Sequence, residues 1–334
     1  MDIIYKKLYR EKGSLNVSVS PLVCFDALYP IIKNNHNINF VDINPKTLNM
    51  DEKQISEDTQ IIQPIHFGGN PQNMDKISEI SKNGQIILED CAQGYGSIYN
   101  NKFVGNFGDY SVFSLMKNIY GLGGGVIISK EDLNMPQNKE LGYIPTTYRK
   151  IKRLLESKST YNSILTTKIL YGLLSLRPTD QTKFYKEYTV NNTIINSIYS
   201  QIINFDILIN KRMANADYIL NRVNKDYLEP QNTLSNAVSN YTRLYFVLTE
   251  KNSKETIKSL RDCGIGANHI TQDSVKYFQD SVFKNNFFSN YADKKNLKEY
   301  SDVHDRLISL PISPNLSKKE MDYILKVLNQ VCRC

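Results

Sequence analysis

Two residues in the first half of the sequence are of types that together support one kind of chemistry. Asp90 follows Glu89 at the end of the short apolar run 86–88, which predicts a buried strand that delivers a carboxylate to its carboxyl end. Lys117 follows a second apolar-rich segment, 110–116, and precedes a turn rich in glycine. Ligands of open α/β sheets bind at the carboxyl ends of the strands, so we expect both side chains at one site. A carboxylate that keeps a pyridine nitrogen protonated and a lysine that forms a Schiff base are the two groups that pyridoxal phosphate chemistry takes from a protein.

Other interpretations of the same residues stay open at this point. A dinucleotide-binding loop has the pattern G-x-G-x-x-G, but neither glycine pair in this stretch is followed by the third glycine. The lysine spacing of a Walker phosphate-binding loop is not found either. The plainer alternative is that Lys117 is a solvated loop residue and that Asp90 caps a helix.

Short sequence blocks around these residues follow one another in a fixed order. The acid lies in E-D-x-A-Q-x-x-G-x-x-Y at 89–99, which is followed by V-G-x-x-G-D at 104–109 and by F-S-x-x-K-N with its glycine turn at 113–125. Flanking blocks are PIHFGGNPQNMDKI, FVDINPKTLNMD and, near the C-terminus, RLISLPISPNLSKKEMDYI. From about Leu15 to the end, the chain resembles the DegT/DnrJ/EryC1/StrS family of pyridoxal phosphate-dependent nucleotide-sugar aminotransferases.

The resemblance implies a fold like that of the type I pyridoxal phosphate-dependent transferases, an α/β fold with a layered, mostly parallel sheet domain and a smaller C-terminal α+β domain. Segments with strand and helix periodicity alternate through the first half, which independently favours parallel pairing. We expect a large cofactor domain at 1–212, without the usual N-terminal segment of the family, and a small domain at 213–334. Apolar pairs four residues apart predict a long helix over 192–222, and a strand is expected over 241–248.

The resemblance also implies roles for five side chains. Lys117 is the catalytic lysine, which carries the Schiff base and moves a proton, and Asp90 pairs with the ring nitrogen of the cofactor. Gln93 hydrogen-bonds the phenolic oxygen of the ring, and Ser114 binds the phosphate. Phe25 stands where the family has an aromatic residue that stacks on the ring, and a core phenylalanine is the equal alternative.

An activity and its partners follow from the same resemblance. An amino donor, usually glutamate, gives its amino group to the cofactor, which passes it to a keto group of a nucleotide-activated deoxysugar. The products of such enzymes serve surface polysaccharide and O-antigen biosynthesis, and the cofactor sites of the family lie at a homodimer interface. The second hypothesis is a non-catalytic or weakly cofactor-binding relative that acts as a partner subunit or regulator.

Composition limits the remaining classes of protein. With 334 residues and 41% apolar content the chain can bury a large core, and its net charge of +7 suits an anionic ligand as well as a nucleic acid. Five scattered cysteines argue against a disulfide framework and favour the reducing cytoplasm, and the four histidines offer no metal-ligand spacing near the terminal C-x-C. No apolar run has the length of a membrane span. We therefore expect no metal, no membrane and, given the resemblance, no nucleic-acid partner.

Three departures from the family pattern concern the phosphate of the cofactor. The sequence begins with Met1 where the family has an S-G-T-x-A turn, which holds the phosphate at a helix N-terminus. The stretch from Ser114 to Lys117 is shorter than in the family, and an N-Y-R motif is replaced at 187–189. These departures predict weak binding of pyridoxal phosphate, whereas the ring acid and the lysine remain.

Overall fold

The computed structural model describes residues 1–119, 122–133, 190–250, 252–269, 292–293, 297–310 and 312–333. Its strands are β1 (Asn16–Val19), β2 (Asn37–Phe40), β3 (Ile61–Gln63), β4 (Ile86–Asp90), β5 (Ile98–Tyr99), β6 (Lys102–Phe103), β7 (Tyr110–Ser114), β8 (Gly125–Ser129), β9 (Leu228–Pro230), β10 (Ala237–Val238), β11 (Leu244–Leu248), β12 (Ala292–Asp293) and β13 (Leu307–Leu310). Its α-helices are α1 (Asp2–Lys12), α2 (Phe25–Lys33), α3 (Met74–Ser81), α4 (Asn192–Ile202), α5 (Phe205–Leu220), α6 (Ser253–Asp262), α7 (Lys298–His304) and α8 (Lys318–Arg333).

One large sheet organises the first half of the chain. Its strand order is β12-β2-β1-β3-β4-β7-β8. Neighbouring strands run parallel from β12 to β7, and the edge strand β8 runs antiparallel to β7. The carboxyl ends of β1, β3, β4 and β7 therefore share one edge, which is where open α/β sheets bind their ligands. The predicted layered, mostly parallel sheet is confirmed.

The first helix and strand show how the sequence builds the layer beneath this edge. Ile4 and Leu8 lie on the inner face of α1 and are at most 1% exposed. Gly13 ends the helix with a φ of 75°, a conformation that glycine adopts without strain. Val17 and Val19 of β1 are completely buried in the same core. Burying an aliphatic side chain of this size stabilises the fold by about 1.5–3 kcal/mol. The burial of these side chains therefore explains the apolar periodicity of α1 and β1.

A second sheet, antiparallel and three-stranded, lies in the C-terminal part with the order β13-β11-β9. Its central strand β11 is buried at every position. Leu244, Phe246 and Leu248 pack in a core with α5, α6 and α8, whereas Tyr245 and Val247 pack in the core of the large sheet. Because both faces of β11 are buried, its sequence is a continuous apolar run. The strand therefore joins the two cores.

The helix predicted over 192–222 is wrong as a single element. The structure has two helices, α4 and α5, interrupted by a turn at 203–204. The apolar spacing hides this interruption because it continues on both sides of the turn. Most of the apolar face of α4 is also exposed, since Ile195 and Tyr199 have exposed fractions of 47 and 68%.

The strand predicted over 241–248 begins later, at Leu244. The reason is local, because Tyr241 has a φ of 47°, which lies outside the strand region. The boundary predicted between 1–212 and 213–334 stays a prediction. Residues of the second core begin at Ala216 of α5, yet β12 pairs with β2 in the large sheet. Within the described ranges, no helix is long and apolar enough to cross a bilayer.

Candidate active site

Asp90 ends β4 at the edge where the parallel strands terminate. Its exposed fraction is 4%. The backbone N–H of Asp90 donates to the carbonyl of Pro64 at 2.8 Å, and Oδ1 accepts the N–H of Ala92 at 3.0 Å. No group in the described part of the chain hydrogen-bonds to Oδ2. Because the polar atoms of buried residues are normally paired, this oxygen is an acceptor that a ligand can satisfy.

Lys117 approaches Asp90 from the neighbouring strand. β4 and β7 pair in parallel with Asp90 opposite Val112, and Lys117 lies in the turn just beyond β7. Burial raises the pKa of Asp90, and the positive charge of Lys117 acts against that rise. The structure therefore brings together the two residues that the sequence singles out.

The turn that carries Lys117 is fixed at its two ends. Ser114 is the last residue of β7, and its Oγ accepts the N–H of Met116 at 3.4 Å. The N–H of Leu115 donates to the carbonyl of Gly124 at 3.2 Å, next to the start of β8. Lys117 itself is half-buried. Ser114 thus stands beside the lysine, and its role with a phosphate stays a prediction.

Gln93 is held at its side chain and at its backbone. Its Oε1 accepts the N–H of Gly68 at 2.8 Å, which leaves the amide nitrogen Nε2 as the donor of this side chain. The backbone carbonyl of Gln93 accepts three side-chain hydrogen bonds, from Asn118 Nδ2 at 2.9 Å, Asn240 Nδ2 at 2.7 Å and Thr242 Oγ1 at 2.6 Å. A donor at Nε2 is what a phenolic oxygen requires, and the predicted role of Gln93 toward the cofactor stays a prediction.

A buried arginine supports the residue that follows the lysine. Arg212 of α5 has an exposed fraction of 1%. Its Nη1 donates to Oδ1 of Asn118 at 3.0 Å, and its Nη2 donates to the backbone carbonyl of Asn118 at 3.2 Å. Oδ1 of Asn118 also lies 2.5 Å from the hydroxyl oxygen of Thr242, whose single proton is shared between Asn118 and the carbonyl of Gln93. The lysine turn is therefore tied to α5 and to the segment before β11.

The loop after β3 comes very close to the segment before β11. Gly69 has a φ of 89°, and a Cβ at this position would lie 1.9 Å from Oδ1 of Asn240. Nearby, the rings of Phe67 and Tyr245 stack with their centroids 4.5 Å apart. A residue other than glycine would have to displace Asn240, which also binds the carbonyl of Gln93. This contact gives a physical reason for the glycines of the PIHFGG block.

Glu89 lies completely buried beside Asp90 and is surrounded by donors. Its Oε1 accepts the N–H groups of Phe107 and Gly108 at 2.6 and 2.5 Å, and its Oε2 accepts the N–H of Gly105 at 2.7 Å. A side chain at Gly108 would meet two backbone oxygens at 2.8 and 2.9 Å. The block V-G-x-x-G-D is therefore a loop folded around this carboxylate.

His66, Glu89 and Cys91 are the cluster with possible metal-ligand atoms among the described residues, all within 4.8 Å of one another. Nδ1 of His66 accepts the N–H of Gln72, so Nε2 carries the proton and donates to Oε2 of Glu89 at 3.2 Å. Burial acts to raise the pKa of Glu89, but the hydrogen bonds from His66 and the backbone bring it below its ordinary value. The lone pairs of the histidine and the carboxylate are already used. We therefore interpret the cluster as a hydrogen-bonded support.

Phe25 is the first residue of α2 and has an exposed fraction of 5%. Its ring stacks on Tyr29 with centroids 5.0 Å apart and 19° between the planes. It belongs to the core of the large sheet, so the core interpretation describes its observed contacts. Stacking of Phe25 on a cofactor stays a prediction. The replaced motif at 187–189 lies outside the described residues.

A model of the DegT/DnrJ/EryC1/StrS aminotransferase family matches residues 17–329. The chain belongs to this family. The family match confirms the resemblance that the short sequence blocks indicate. The structure also explains why these blocks occur in this family member. The acid block ends β4 and holds Gln93, the V-G-x-x-G-D block surrounds Glu89, and the lysine block forms the turn after β7.

Two curated relatives are similar to this family member over one segment each. The pleiotropic regulatory protein of Geobacillus stearothermophilus is 40% identical over 101 residues, which are 28% of this chain and 27% of that protein. The GDP-perosamine synthase of Escherichia coli O157:H7 is 37% identical over 102 residues, which are 28% of each protein. The chain therefore matches little more than a quarter of the length of either relative.

Solved structures are similar along nearly the whole chain. The E. coli GDP-4-keto-6-deoxy-D-mannose-3-dehydratase with bound hydrated PLP has a TM-score of 0.72 at 19% identity, over 98% of this chain and 84% of that one. A GDP-4-keto-6-deoxymannose-3-dehydratase with a trapped PLP-glutamate geminal diamine has a TM-score of 0.71 at 19% identity, over 98 and 85%. These likenesses confirm the predicted type of fold. Both proteins hold the cofactor that the sequence of the present family member predicts.

The residues at the strand ends of this family member fit pyridoxal phosphate. Asp90 presents an oxygen that no described residue pairs, Gln93 presents a donor, and Lys117 supplies a primary amine. Asp90 would hold the ring nitrogen and Lys117 the aldehyde carbon. Bound there, the cofactor would supply the electron-accepting ring.

Sequence reasoning missed four residues that surround this site. They lie in α5 and just before β11: Arg212, Asn240, Thr242 and Arg243. Their signal in the sequence is weak, because short polar residues before a strand are ordinary. A buried arginine in an apolar helix is the one feature that could have drawn notice.

Proposed function

We propose that this chain is a pyridoxal phosphate-dependent aminotransferase that moves an amino group from glutamate to a keto group of a nucleotide-activated deoxysugar. The pair formed by Asp90 and Lys117 carries the proposal. A buried carboxylate with an unpaired oxygen ends one strand, and a lysine whose positive charge acts on it follows the adjacent parallel strand. The product would enter surface polysaccharide such as O-antigen, and the enzyme would work in the cytoplasm.

Each residue of the site has a chemical task in this proposal. Bound pyridoxal phosphate supplies an electron sink for a deprotonated substrate carbon. Oδ2 of Asp90 holds the proton on the ring nitrogen, and the low polarity around this buried carboxylate strengthens that interaction. Nε2 of Gln93 donates to the phenolic oxygen. Nζ of Lys117 would hold the cofactor covalently and would move a proton at the substrate carbon.

The choice of substrates is supported by what the similar proteins are named for and hold. One relative is a GDP-perosamine synthase, and one similar structure contains PLP together with glutamate. A nucleotide-linked keto sugar and glutamate therefore head the substrates to be tested. That test is designed to identify the sugar, the nucleotide and the carbon atom that react.

A homodimer is the proposed working unit. The outer face of α4 and the start of α5 expose large apolar side chains, among them Tyr199, Ile203 and Ile207 with exposed fractions of 68, 63 and 58%. Contiguous apolar surface of this kind marks interaction sites. A second copy would cover this face, which includes the start of α5, the helix that supports Asn118 through Arg212.

The decisive experiment follows the cofactor and the nitrogen together. The purified chain is incubated with pyridoxal phosphate and its near-visible absorption recorded, then ¹⁵N-glutamate is added, and then nucleotide-linked keto sugars. We expect the absorption band to form, to be lost with glutamate and to return with the sugar, and mass spectrometry should show ¹⁵N in the sugar. A sugar product that has lost an oxygen without gaining ¹⁵N would instead indicate a dehydratase, the activity named for the similar E. coli structure.

The second candidate is a non-catalytic relative that acts as a regulator or partner subunit. It is favoured by the name of one relative, a pleiotropic regulatory protein. Under this alternative the chain shows no near-visible band with pyridoxal phosphate and gives no response to any amino donor. The absorption spectrum therefore separates the two candidates before any sugar substrate is available.

A further inference from the structure

Arg243 is a half-buried cation with a buried, unpaired nitrogen. It stands between Thr242 and the start of β11. Its Nη1 is buried and has no hydrogen-bond partner, and within the described ranges no carboxylate lies within ion-pair distance of it. Unpaired buried guanidinium nitrogens are rare, because burying a charged donor costs free energy unless an acceptor completes it.

The backbone places Arg243 next to the groups that hold the site. Its N–H donates to the carbonyl of Gly68 at 3.5 Å, and the N–H of the same Gly68 donates to Oε1 of Gln93. The preceding residue, Thr242, donates to the carbonyl of Gln93. Arg243 is therefore hydrogen-bonded to Gly68, which holds the side chain of Gln93, and is next in sequence to Thr242, which holds its backbone carbonyl.

Arg243 interacts electrostatically with the buried side chain of Tyr245. Burial raises the pKa of Tyr245 to about 12, and the positive charge of Arg243 acts against this rise. The negative charge that Cys24 carries when ionised adds to the rise in the pKa of Tyr245. Burial raises the pKa of Cys24 itself, and the positive charge of Lys117 acts against that rise. Electrostatic interactions therefore link Arg243 to Tyr245, Tyr245 to Cys24, and Cys24 to Lys117.

We propose that Arg243 binds anionic oxygens of a substrate in the site formed by Asp90, Gln93 and Lys117. The inference rests on the proposed function, since it assigns the substrate to that site. A guanidinium presents parallel N–H donors that match a carboxylate or a phosphate in two-point contact. The anion is either the carboxylate of the amino donor or the diphosphate of the nucleotide sugar. The two sources share one chemistry and differ in the half-reaction that they affect.

The test compares Arg243→Gln and Arg243→Lys with the control Arg222→Gln. Arg222 is an exposed arginine of the same part of the chain that lies over the ring of Tyr218, so its loss removes equal charge away from the site. Calorimetry measures binding of glutarate, a dicarboxylate that cannot transaminate, and of GDP, UDP and dTDP. Absorption measures the glutamate dependence of the first half-reaction in the cofactor-loaded protein.

We expect Arg243→Gln to weaken binding of one anion class by about tenfold to a hundredfold, the range of a lost charge-assisted contact. Arg243→Lys should recover part of that loss, and Arg222→Gln should bind like the wild type. Weaker glutarate and glutamate binding assigns a carboxylate, and weaker nucleotide binding assigns a diphosphate. Unchanged binding of both classes in Arg243→Gln overturns the inference.

Stability and spectra distinguish an arginine that binds a ligand from one that only holds the fold. A merely structural Arg243 would lower the melting temperature when it is replaced, whereas removal of an unpaired, partly buried charge should leave it equal or higher. If the wild type shows no near-visible band with pyridoxal phosphate but still binds an anion through Arg243, the proposed function is wrong and the anion site is supported. A wild type that binds neither anion class would reject both.

Discussion

The hydroxyl of Thr242 lies 2.6 Å from the backbone carbonyl oxygen of Gln93, and this hydrogen bond joins the loop after β4 to the segment before β11. Asn240 donates to the same carbonyl, and so does Asn118, the neighbour of Lys117. The position of Gln93 therefore depends on residues from two other parts of the chain. Gln93 is placed by tertiary contacts rather than by its own loop.

Replacing Thr242 with Val tests this dependence. The change keeps the shape but removes the hydroxyl, whose single proton is shared between the carbonyl of Gln93 and Oδ1 of Asn118. We expect a loss of about 1–2 kcal/mol in the free energy of unfolding and a lower kcat, because the backbone of Gln93 gains freedom. Thr249→Val is the matched control, since its hydroxyl also binds a backbone carbonyl, that of Asp226, but at the surface. Equal effects of the two changes on kcat would contradict the proposed coupling.

Lys117 is expected to carry the cofactor covalently. Borohydride reduction followed by peptide mapping should place the pyridoxyl group on Lys117 and not on Lys130, which pairs with Asp109 at the end of the same hairpin. Lys117→Arg keeps the charge but cannot serve as the proton carrier, so kcat should fall by about 10²–10⁴-fold. Label on any other lysine would sink the assignment.

Asp90→Asn should divide activity from stability. Transamination should fall by orders of magnitude, because the amide cannot hold the proton of the ring nitrogen. Burial raises the pKa of Asp90, so the folded chain binds this proton more tightly than the unfolded chain. Compared with neutral Asn, the ionised carboxylate therefore destabilises the fold. This destabilisation is absent below the unfolded pKa, near 3.9, and grows as the pH rises from there through the raised folded pKa.

Thermal melts of the cofactor-free proteins test the sign of this effect. Asp90→Asn should melt higher than the wild type at pH 8, and the difference should shrink as the pH approaches 4. Adding pyridoxal phosphate should stabilise the wild type more than the variant, by linkage to binding. A variant that melts lower than the wild type at pH 8 would mean that Asp90 has a stabilising partner.

Glu89→Gln should be strongly destabilising although it is nearly isosteric. One end of the amide would present N–H groups to the backbone donors of Phe107 and Gly108 or of Gly105. We expect a loss of about 3 kcal/mol or more in the free energy of unfolding, measured by chemical denaturation. The exposed Glu229→Gln is the control and should lose less than about 0.5 kcal/mol.

The effect of pH on the stability contributed by Glu89 has the opposite sign to the effect of pH on the contribution of Asp90. The pKa of Glu89 lies below its ordinary value, so its stabilising contribution is present above the unfolded pKa and is lost as the pH falls through the folded one. The difference between wild type and Glu89→Gln should therefore narrow under acid conditions. If the difference in unfolding free energy between wild type and Glu89→Gln stays constant down to the pH of acid unfolding, the stabilisation does not come from the ionised carboxylate of Glu89.

Ile203→Glu tests the proposed homodimer. Ile203 lies in the turn between α4 and α5 and has an exposed fraction of 63%. A charge on a covered apolar face should raise the dissociation constant of the dimer by tenfold or more, which light scattering across a dilution series detects; the figure corresponds to about 1.4 kcal/mol. Lys258→Glu, on an exposed position of α6, is the control. A wild-type chain that is monomeric at all concentrations would reject the dimer itself.

The parts of the site that the sequence predicts are those that local blocks determine. Asp90 and Lys117 follow apolar runs whose strand character is plain, and parallel pairing then brings them to one edge. The bounds of α2 and α3 agree with the apolar periodicity of their segments because that periodicity decides which face is buried.

The parts that the sequence does not predict depend on distant contacts. Asn240 and Thr242 are polar residues before a strand, and nothing local indicates that their partner is the carbonyl of Gln93. The late start of β11 has the same origin, because Tyr241 takes a positive φ in the turn that presents these two side chains. The break between α4 and α5 escapes prediction because neither proline nor glycine marks it.

The three hydrogen bonds on the carbonyl of Gln93 also set an order of events during synthesis on the ribosome. The strand that ends in Asp90 and the hairpin that carries Lys117 are translated by Ser129, but Asn240 and Thr242 emerge more than a hundred residues later. A nascent chain that has formed β1 to β8 therefore has the acid and the lysine, and Gln93 is held by Gly68 and Asn118 without the two hydrogen bonds from Asn240 and Thr242. Capture of the cofactor in its final geometry has to wait until the segment before β11 leaves the exit tunnel, so a ribosome stalled before that point holds an incomplete site.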